Sequence, residues 1–349
     1  MYPFNSDRAY IRNAWYVAAW GSEITRKPFQ RTIMEEPIVF YRTESGEPVA
    51  MFGLCPHRTH PLVDGRLIGD DIMCPYHGFT YSPQGACVRI PAQDKVPQQF
   101  RQRIYPLVER GGAVWIWMGD ASAVDMTKMP QISEIGMDVP GWKTVENGMT
   151  SIKARWSLVI DNVMDLSHVG FIHLKTIEAP AAGEVAPQDD ADQRIQCARW
   201  LINQSPDMSY ARNAIPDNSE PLDLELGSVF YGPGLVAAYL RFYTAASKGE
   251  RKLLSTTYHL QCVTPETPHM SYNFSGVVRN VRLDAPDFDQ WLKTAVNKTR
   301  EEDVEALEKI EPMVDRFANA RSELSGVGDV SAIRVRRQLA ALLALEEAA

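Results

Sequence analysis

The sequence contains no run of eighteen apolar residues, so no membrane-spanning helix is expected. Its opening, MYPFNSDRAYIRNAWYVAAW, lacks a basic stretch followed by a continuous apolar run, so no signal peptide is expected either. Basic residues are outnumbered: 36 Lys and Arg face 44 Asp and Glu, a net charge of −8. No basic stripe offsets that balance, which argues against nucleic acid as a partner. Cysteine is scarce, and five cysteines cannot all pair. In a chain this long they point to a reducing cytoplasm, where Cys serves metal or packing. Histidine is also scarce, at seven. The remainder is 45% hydrophobic and 23% charged, as in a folded chain. At 349 residues the chain exceeds what one hydrophobic core usually serves, so two domains are expected.

The first third reads as β-structure. PIVFYRTESGEPVAMF (37–52) is two strand-like runs around Ser45-Gly46, and FTYSPQGACVRI (79–90) repeats the pattern. GGAVWIWMGD (111–120) is an aromatic, β-branched strand between glycines. Residues 121–150 lose periodicity and gain Pro, Gly, Asp and Met, which sets the domain boundary at 122/123. Beyond it, 154–173 has helical character, and the polar stretch 180–223 reads as loops. Strand-like runs follow at 228–245 and 256–278, then a long helix near 287–310 and a shorter one closing the chain. The expected architecture is α+β: an all-β domain (1–122) followed by a mixed α+β domain (123–349).

Two of the five cysteines and three of the seven histidines crowd into CPHRTHPLVDGRLIGDDIMCPYHG (55–78). The spacing is Cys55-x-His57, then Cys74-x-x-His77. Zinc could take two Cys and two His, and packing without metal is a further alternative. Each pair mixes one Cys with one His, whereas zinc-finger pairs are commonly Cys-Cys then His-His. Mixed pairs suit a [2Fe–2S] centre of Rieske type, with two thiolates on one iron and two imidazoles on the other. His60 is left over as a surface or supporting group.

A second group lies in DNVMDLSHVGFIH (161–173). Read as one helix, it puts Asp161, Asp165 and His168 at i, i+4 and i+7, on one face. His173 is then about 140° out of phase with His168 at 3.6 residues per turn. Both can face one point only if the helix bends or ends between them, and Gly170 permits that. On the late helix, the apolar stripe Leu292, Val296, Thr299, Ala306, Leu307, Ile310 has a gap filled by Asp303. A carboxylate there needs a partner or a metal. A distant Arg could be that partner, but two histidines and a carboxylate also describe the ligand set of non-haem Fe(II) oxygenases.

These motifs, C-P-H-R…C-P-Y-H-G, D-N-x-x-D-x-x-H-x4-H and a late E-E-D, resemble the Rieske non-haem iron oxygenases. The branch is that of the vanillate O-demethylase, dicamba monooxygenase and toluenesulfonate methyl-monooxygenase oxygenase components. RNAWYVAAW, YPLVERGGAVWIWMGD and VTPET carry the similarity along nearly the whole chain. The resemblance implies a Rieske domain followed by a helix-grip α+β domain. It implies that Cys55, His57, Cys74 and His77 hold the [2Fe–2S] cluster and that His168, His173 and Asp303 hold mononuclear Fe(II). It makes Asp165 the carboxylate linking His168 of one subunit to His77 of the next in a head-to-tail homotrimer. Asn162 matches a residue close to the iron that is not a firm ligand. The partners implied are O₂, a small aromatic substrate, and a separate NADH-dependent reductase carrying flavin and its own [2Fe–2S] cluster.

The implied reaction is monooxygenation, by O-demethylation or methyl hydroxylation. Ring cis-dihydroxylation is the alternative within the family. A Rieske electron carrier without oxygenase activity is the alternative outside it, though that leaves two-thirds of the chain without a purpose. For the substrate, Arg241, His259 and Gln261 are the polar residues suspected of meeting an anionic or phenolic group. Trp200, Tyr239 and Phe242 read as packing.

Overall fold

The computed structural model describes residues 10–190, 194–317 and 323–347. The opening nine residues, the end of the polar run 187–193 and the last two residues of the Ala/Leu-rich tail lie outside the described residues. The chain divides into two compact units, one of residues 12–129 with 264–267, the other of the remaining described residues.

The first unit is built from ten short strands. They are β1 (Trp15–Trp20), β2 (Phe29–Ile33), β3 (Glu36–Arg42), β4 (Pro48–Phe52), β5 (Arg66–Ile68), β6 (Asp71–Met73), β7 (Thr80–Tyr81), β8 (Cys87–Arg89), β9 (Leu107–Arg110) and β10 (Ala113–Trp117). They form three sheets, β1-β10-β9, β2-β3-β4 and β5-β6-β7-β8. WYVAAW and AVWIW pair along their length and bury every residue, because aromatic and β-branched side chains fill a pleated, two-sided core. The expected turn between β3 and β4 forms at Ser45-Gly46, where Gly46 takes φ +90. The four-stranded sheet packs Ile72, Tyr81 and Cys87 with Val39, Tyr41 and Leu62, and the same cluster holds Cys55 and Cys74.

The second unit is a seven-stranded sheet with helices. Its elements are β11 (Lys143–Ile152), α1 (Trp156–Met164), α2 (Val169–Ile172), β12 (Gln188–Asp190), β13 (Gln196–Gln204), α3 (Ser209–Ala214), β14 (Leu222–Gly232), β15 (Leu235–Thr244), β16 (Leu253–Thr267), β17 (Met270–Arg279), α4 (Pro286–Phe317) and α5 (Val330–Glu347). The strand order is β11-β17-β16-β15-β14-β13-β12. Phe288, Leu292 and Val296 of α4 bury against Leu201, Leu224, Leu226 and Leu240 of the sheet, so the sheet grips the long helix. The α+β reading holds, with an all-β unit first.

Three local expectations fail. Residues 180–223 are not loops throughout: they carry β12, β13 and α3, because Cys197, Ala198, Arg199 and Leu201 are buried amid polar flanks. The helix expected over 154–173 stops at Met164. On α4 the apolar stripe ends at Leu307, Ile310 is exposed, and Glu311 takes the buried position instead.

Glu311 is buried because Arg155, at the start of α1, meets it. The guanidinium donates to Glu311 at 2.7 and 2.9 Å, and the Arg155 amide donates at 2.9 Å. His269 lies 2.8 Å away on the same carboxylate. A second pair, Arg336 Nε to Asp161 Oδ2 at 2.7 Å, ties α5 to α1. Asp161 therefore belongs to this anchor. Burial pushes the Glu311 carboxyl up, but the Arg155 and His269 contacts outweigh it and hold it below its ordinary 4.5. Its stabilisation is therefore complete above that ordinary value and fades as pH falls through the depressed one. Arg155→Met strands a buried carboxylate and should cost about 3–5 kcal/mol of unfolding free energy. Glu311→Gln should also destabilise at pH 7, and its deficit in thermal melts should close on acidification below pH 4.5.

Candidate active site

The two Cys/His loops have the same backbone pattern. Cys55 N donates to His60 O and Thr59 N to Cys55 O; Cys74 N donates to Phe79 O and Gly78 N to Cys74 O. Each loop thus closes on its cysteine from four and five residues ahead. Each needs a left-handed residue at the fourth position, with Thr59 at φ +53 and Gly78 at φ +72. Both sulfurs are buried, Cys55 within 3.3 Å of the Tyr81 hydroxyl. The His57 and His77 rings lie edge to face at 4.7 Å, nearer solvent. Sulfur donors inside and nitrogen donors outside fit a diiron cluster whose two irons differ in ligand. His60 turns to the Pro61 carbonyl at 3.0 Å, and its ring lies near Tyr76.

The second group forms because the chain breaks. Asp165 caps α1 in an extended conformation, and its carboxylate accepts the Ser167 amide at 3.0 Å and the Ser167 hydroxyl at 2.9 Å. A tight turn over Leu166–His168 follows, then the single turn α2, with His173 at its end. The i, i+4, i+7 face expected for Asp161, Asp165 and His168 does not exist. Gly170 is not the bend; it lies within α2, where a Cβ would sit 2.6 Å from Gly183 N.

This path brings the His168 and His173 rings to 5.1 Å. Asp303 arrives from α4, its Oδ1 3.1 Å from His173 Nε2 and 3.6 Å from His168 Nε2. One donor atom from each of the three lies within 4.8 Å of the others. Two imidazole nitrogens and a carboxylate oxygen match the donor set of non-haem Fe(II). Burial pushes the His168 pKa down. For His173 burial also lowers it, but Asp303 and Glu302 outweigh that and push it up.

The far nitrogens are fixed. His168 Nδ1 is 2.6 Å from the Asp165 carbonyl, and His173 Nδ1 is 2.7 Å from Glu302 Oε2, which also accepts from Thr176. Glu302 was missed from sequence, where only its place in E-E-D pointed to it. Asn162 Nδ2 donates to Asp303 Oδ1 at 3.2 Å. Asp165 meets His168 through its main chain; its carboxylate is occupied by Ser167 and by the fully buried Arg199 at 3.2 Å.

A cavity of about 60 Å³ opens beside His168, His173 and Asp303. Val163, Leu166, Leu226, Leu240 and Val296 supply apolar wall, and His259, Gln261 and Tyr210 also line it. Register explains which strand residues enter. Ala238 pairs with His259, Val236 with Gln261, and Leu226 with Leu240. Successive side chains alternate faces, so Arg241 points opposite to Leu240. It meets Tyr258 at 2.9 Å and Glu225 at 3.3 Å instead. Contrary to the expectation from sequence, Arg241 lies off the cavity with its charge already paired. Among the described residues His259 Nε2 has no hydrogen-bond partner, and burial pushes the ring down to about 4, so it is neutral. Trp200 packs under Tyr243 and Arg251.

Two family models match the chain, the Rieske [2Fe-2S] domain over residues 14–101 and the vanillate O-demethylase oxygenase C-terminal domain over 152–345. The iron-sulfur subunit of a toluene-4-sulfonate monooxygenase system from Comamonas testosteroni is 32% identical, with 89% of this chain and 93% of that protein covered. The oxygenase component of dicamba O-demethylase from Stenotrophomonas maltophilia is also 32% identical, covering 97% and 99%. The crystal structure of dicamba monooxygenase bound to 3,6-dichlorosalicylic acid superposes with a TM-score of 0.90 at 28% identity, over 98% of this chain and all of that one.

Gly78→Ala puts a Cβ at φ +72 and 2.8 Å from Pro91 Cγ. It should destabilise the first unit by about 1–2 kcal/mol and lower acid-labile sulfide content, whereas Thr59→Gly should keep the sulfide. Glu302→Gln should weaken mononuclear iron binding about 10–100-fold. Iron per chain measured against sulfide would register that loss, and an unchanged ratio at limiting iron would refute it.

Proposed function

We infer the reaction from one premise: the chain belongs to the Rieske non-haem iron oxygenases of the vanillate O-demethylase type. It is the monooxygenase component of a system in which an electron-transfer partner supplies reducing equivalents. We propose that Cys55, His57, Cys74 and His77 hold the [2Fe–2S] cluster and that His168, His173 and Asp303 hold Fe(II). When bound, these groups supply one-electron transfer and O₂ activation. Convergence of the three donors on the wall of an apolar cavity carries the reading.

The chain's own residues set the conditions. Main-chain carbonyl 165 and Glu302 orient the two imidazoles so that each offers Nε2. Asn162 holds Asp303 without adding charge. The leucine and valine walls exclude water and accept a ring, while Gln261 and neutral His259 are the polar groups a substituent would meet. The substrate proposed is a small aromatic of carboxylate or phenol type bearing a methyl group on carbon, oxygen or nitrogen. One oxygen atom of O₂ enters the methyl C–H bond; the other leaves as water with two electrons and two protons. If the methyl sits on oxygen or nitrogen, the hemiacetal or hemiaminal formed collapses to formaldehyde.

The electron-transfer partner proposed is an NADH-dependent reductase with flavin and a further [2Fe–2S] cluster. A head-to-tail homotrimer is proposed in which Asp165 faces the cluster histidine of a neighbouring copy; its carboxylate is half-buried, which leaves an edge open. A cytoplasmic location fits five cysteines of which none is paired in a disulfide among the described residues. Among the described residues no helix is long and apolar enough to cross a membrane.

Anaerobically loaded enzyme should contain about three irons and two sulfides per chain. His168→Ala should drop to about two irons, keep its sulfide and lose turnover. Reduced enzyme given methoxy- and methylbenzoates under ¹⁸O₂ should release formaldehyde with unlabelled phenol, or form a singly labelled benzyl alcohol. Two labels on adjacent ring carbons would instead identify a dihydroxylase. Two irons in the parent, with no turnover on any probe, would leave an electron carrier.

A further inference from the structure

The cavity has a cation that the proposed chemistry leaves unused. Arg300 lies three residues before Asp303 on α4 and lines the same space. It is half-buried, and burial lowers its pKa. A guanidinium taken from water normally finds a carboxylate. Arg155, Arg199, Arg241, Arg279 and Arg336 each have one. Arg300 has none within ion-pair distance among the described residues; its neighbour Glu301 acts only from farther off.

Neutral oxygens hold Arg300 instead. It donates through Nη1 to Ser275 Oγ at 2.5 Å and through Nη2 to Asn297 Oδ1 at 2.5 Å. Asn297 is itself braced by Asn147 at 2.9 Å. These contacts orient the guanidinium without cancelling its charge, and they use only two of its five N–H donors. On the same face of β17, two residues from Ser275, Asn273 Nδ2 donates to Gln261 Oε1 at 2.5 Å. That bond leaves the Gln261 amide N–H groups for the cavity. Two oriented donors, one of them charged and unpaired, thus serve a space whose other walls are largely apolar.

We propose that Arg300 selects the substrate: its guanidinium pairs with the carboxylate or sulfonate of an aromatic anion, and the Gln261 amide is the second donor. The proposal rests on the oxygenase reading for the identity of the site, but its test does not require turnover. Calorimetric titration of the holoenzyme would compare 4-methoxybenzoate and toluene-4-sulfonate with their neutral partners, 4-methoxybenzamide and toluene-4-sulfonamide. The parent should favour the anions. Arg300→Leu should lower the anion-to-amide affinity ratio by about 30-fold or more. Arg300→Lys, which keeps the charge but not the fork, should restore part of it and controls for folding. A fall for one acid only would support the proposal and identify which oxyanion is bound. A ratio unchanged in Arg300→Leu, or a parent that binds amides as tightly as anions, would overturn it. O₂ uptake separates the two readings. Arg300-dependent anion binding without O₂ consumption removes the oxygenase, whereas turnover without that discrimination removes only the role of Arg300.

Discussion

The Asp165 carboxylate accepts the Ser167 amide, and the site descends from that contact. The cap stops α1 before both histidines; the tight 166–168 segment and the single turn α2 then carry them, and their rings lie 5.1 Å apart. Arg199, buried and bonded to the same carboxylate, keeps the turn from relaxing. Asp303 must then be delivered from a helix more than a hundred residues later. The Arg155–Glu311 pair does this by fastening the start of α1 to α4 two turns beyond Asp303. Neither anchor touches the cavity, yet both fix how far apart the donors sit.

How much of this was legible depended on how far each feature reaches along the chain. The Cys/His pairs could be read because each loop closes on itself, so spacing alone carries the geometry. Their shared backbone pattern was hidden, since one loop meets the left-handed position with glycine and the other with threonine. His168 and His173 were recognisable by residue type, but the path joining them was not. Helical phase cannot foresee an aspartate that caps its own break. Asp303 stood out as a carboxylate on an apolar stripe. Glu302, beside it, had only its place in E-E-D to mark it, because only the fold brings His173 to it.

The sheet was the hardest part to read. Arg241 and Gln261 look equally suited to meet a polar substituent, but strand register puts Arg241 on the face with Glu225 and Gln261 in the cavity. Nothing in the sequence singles out Arg300. Its position depends on β17 presenting Ser275 beneath it, a contact spanning 25 residues. Likewise the burial of β13 within a polar stretch follows from pairing with β14, which no local window reveals.

Along β15 the two faces have separate duties. Ala238 and Leu240 border the cavity, while Tyr239 and Arg241 belong to a closed network with Glu225 and Tyr258. Changes at Ala238 and Leu240 therefore act on the cavity and on the core beneath α4 together, while changes at Tyr239 and Arg241 act on the network alone. Volume along this face is traded between cavity and core: a smaller residue at 240 widens the space for a guest and loosens the cluster that holds the long helix.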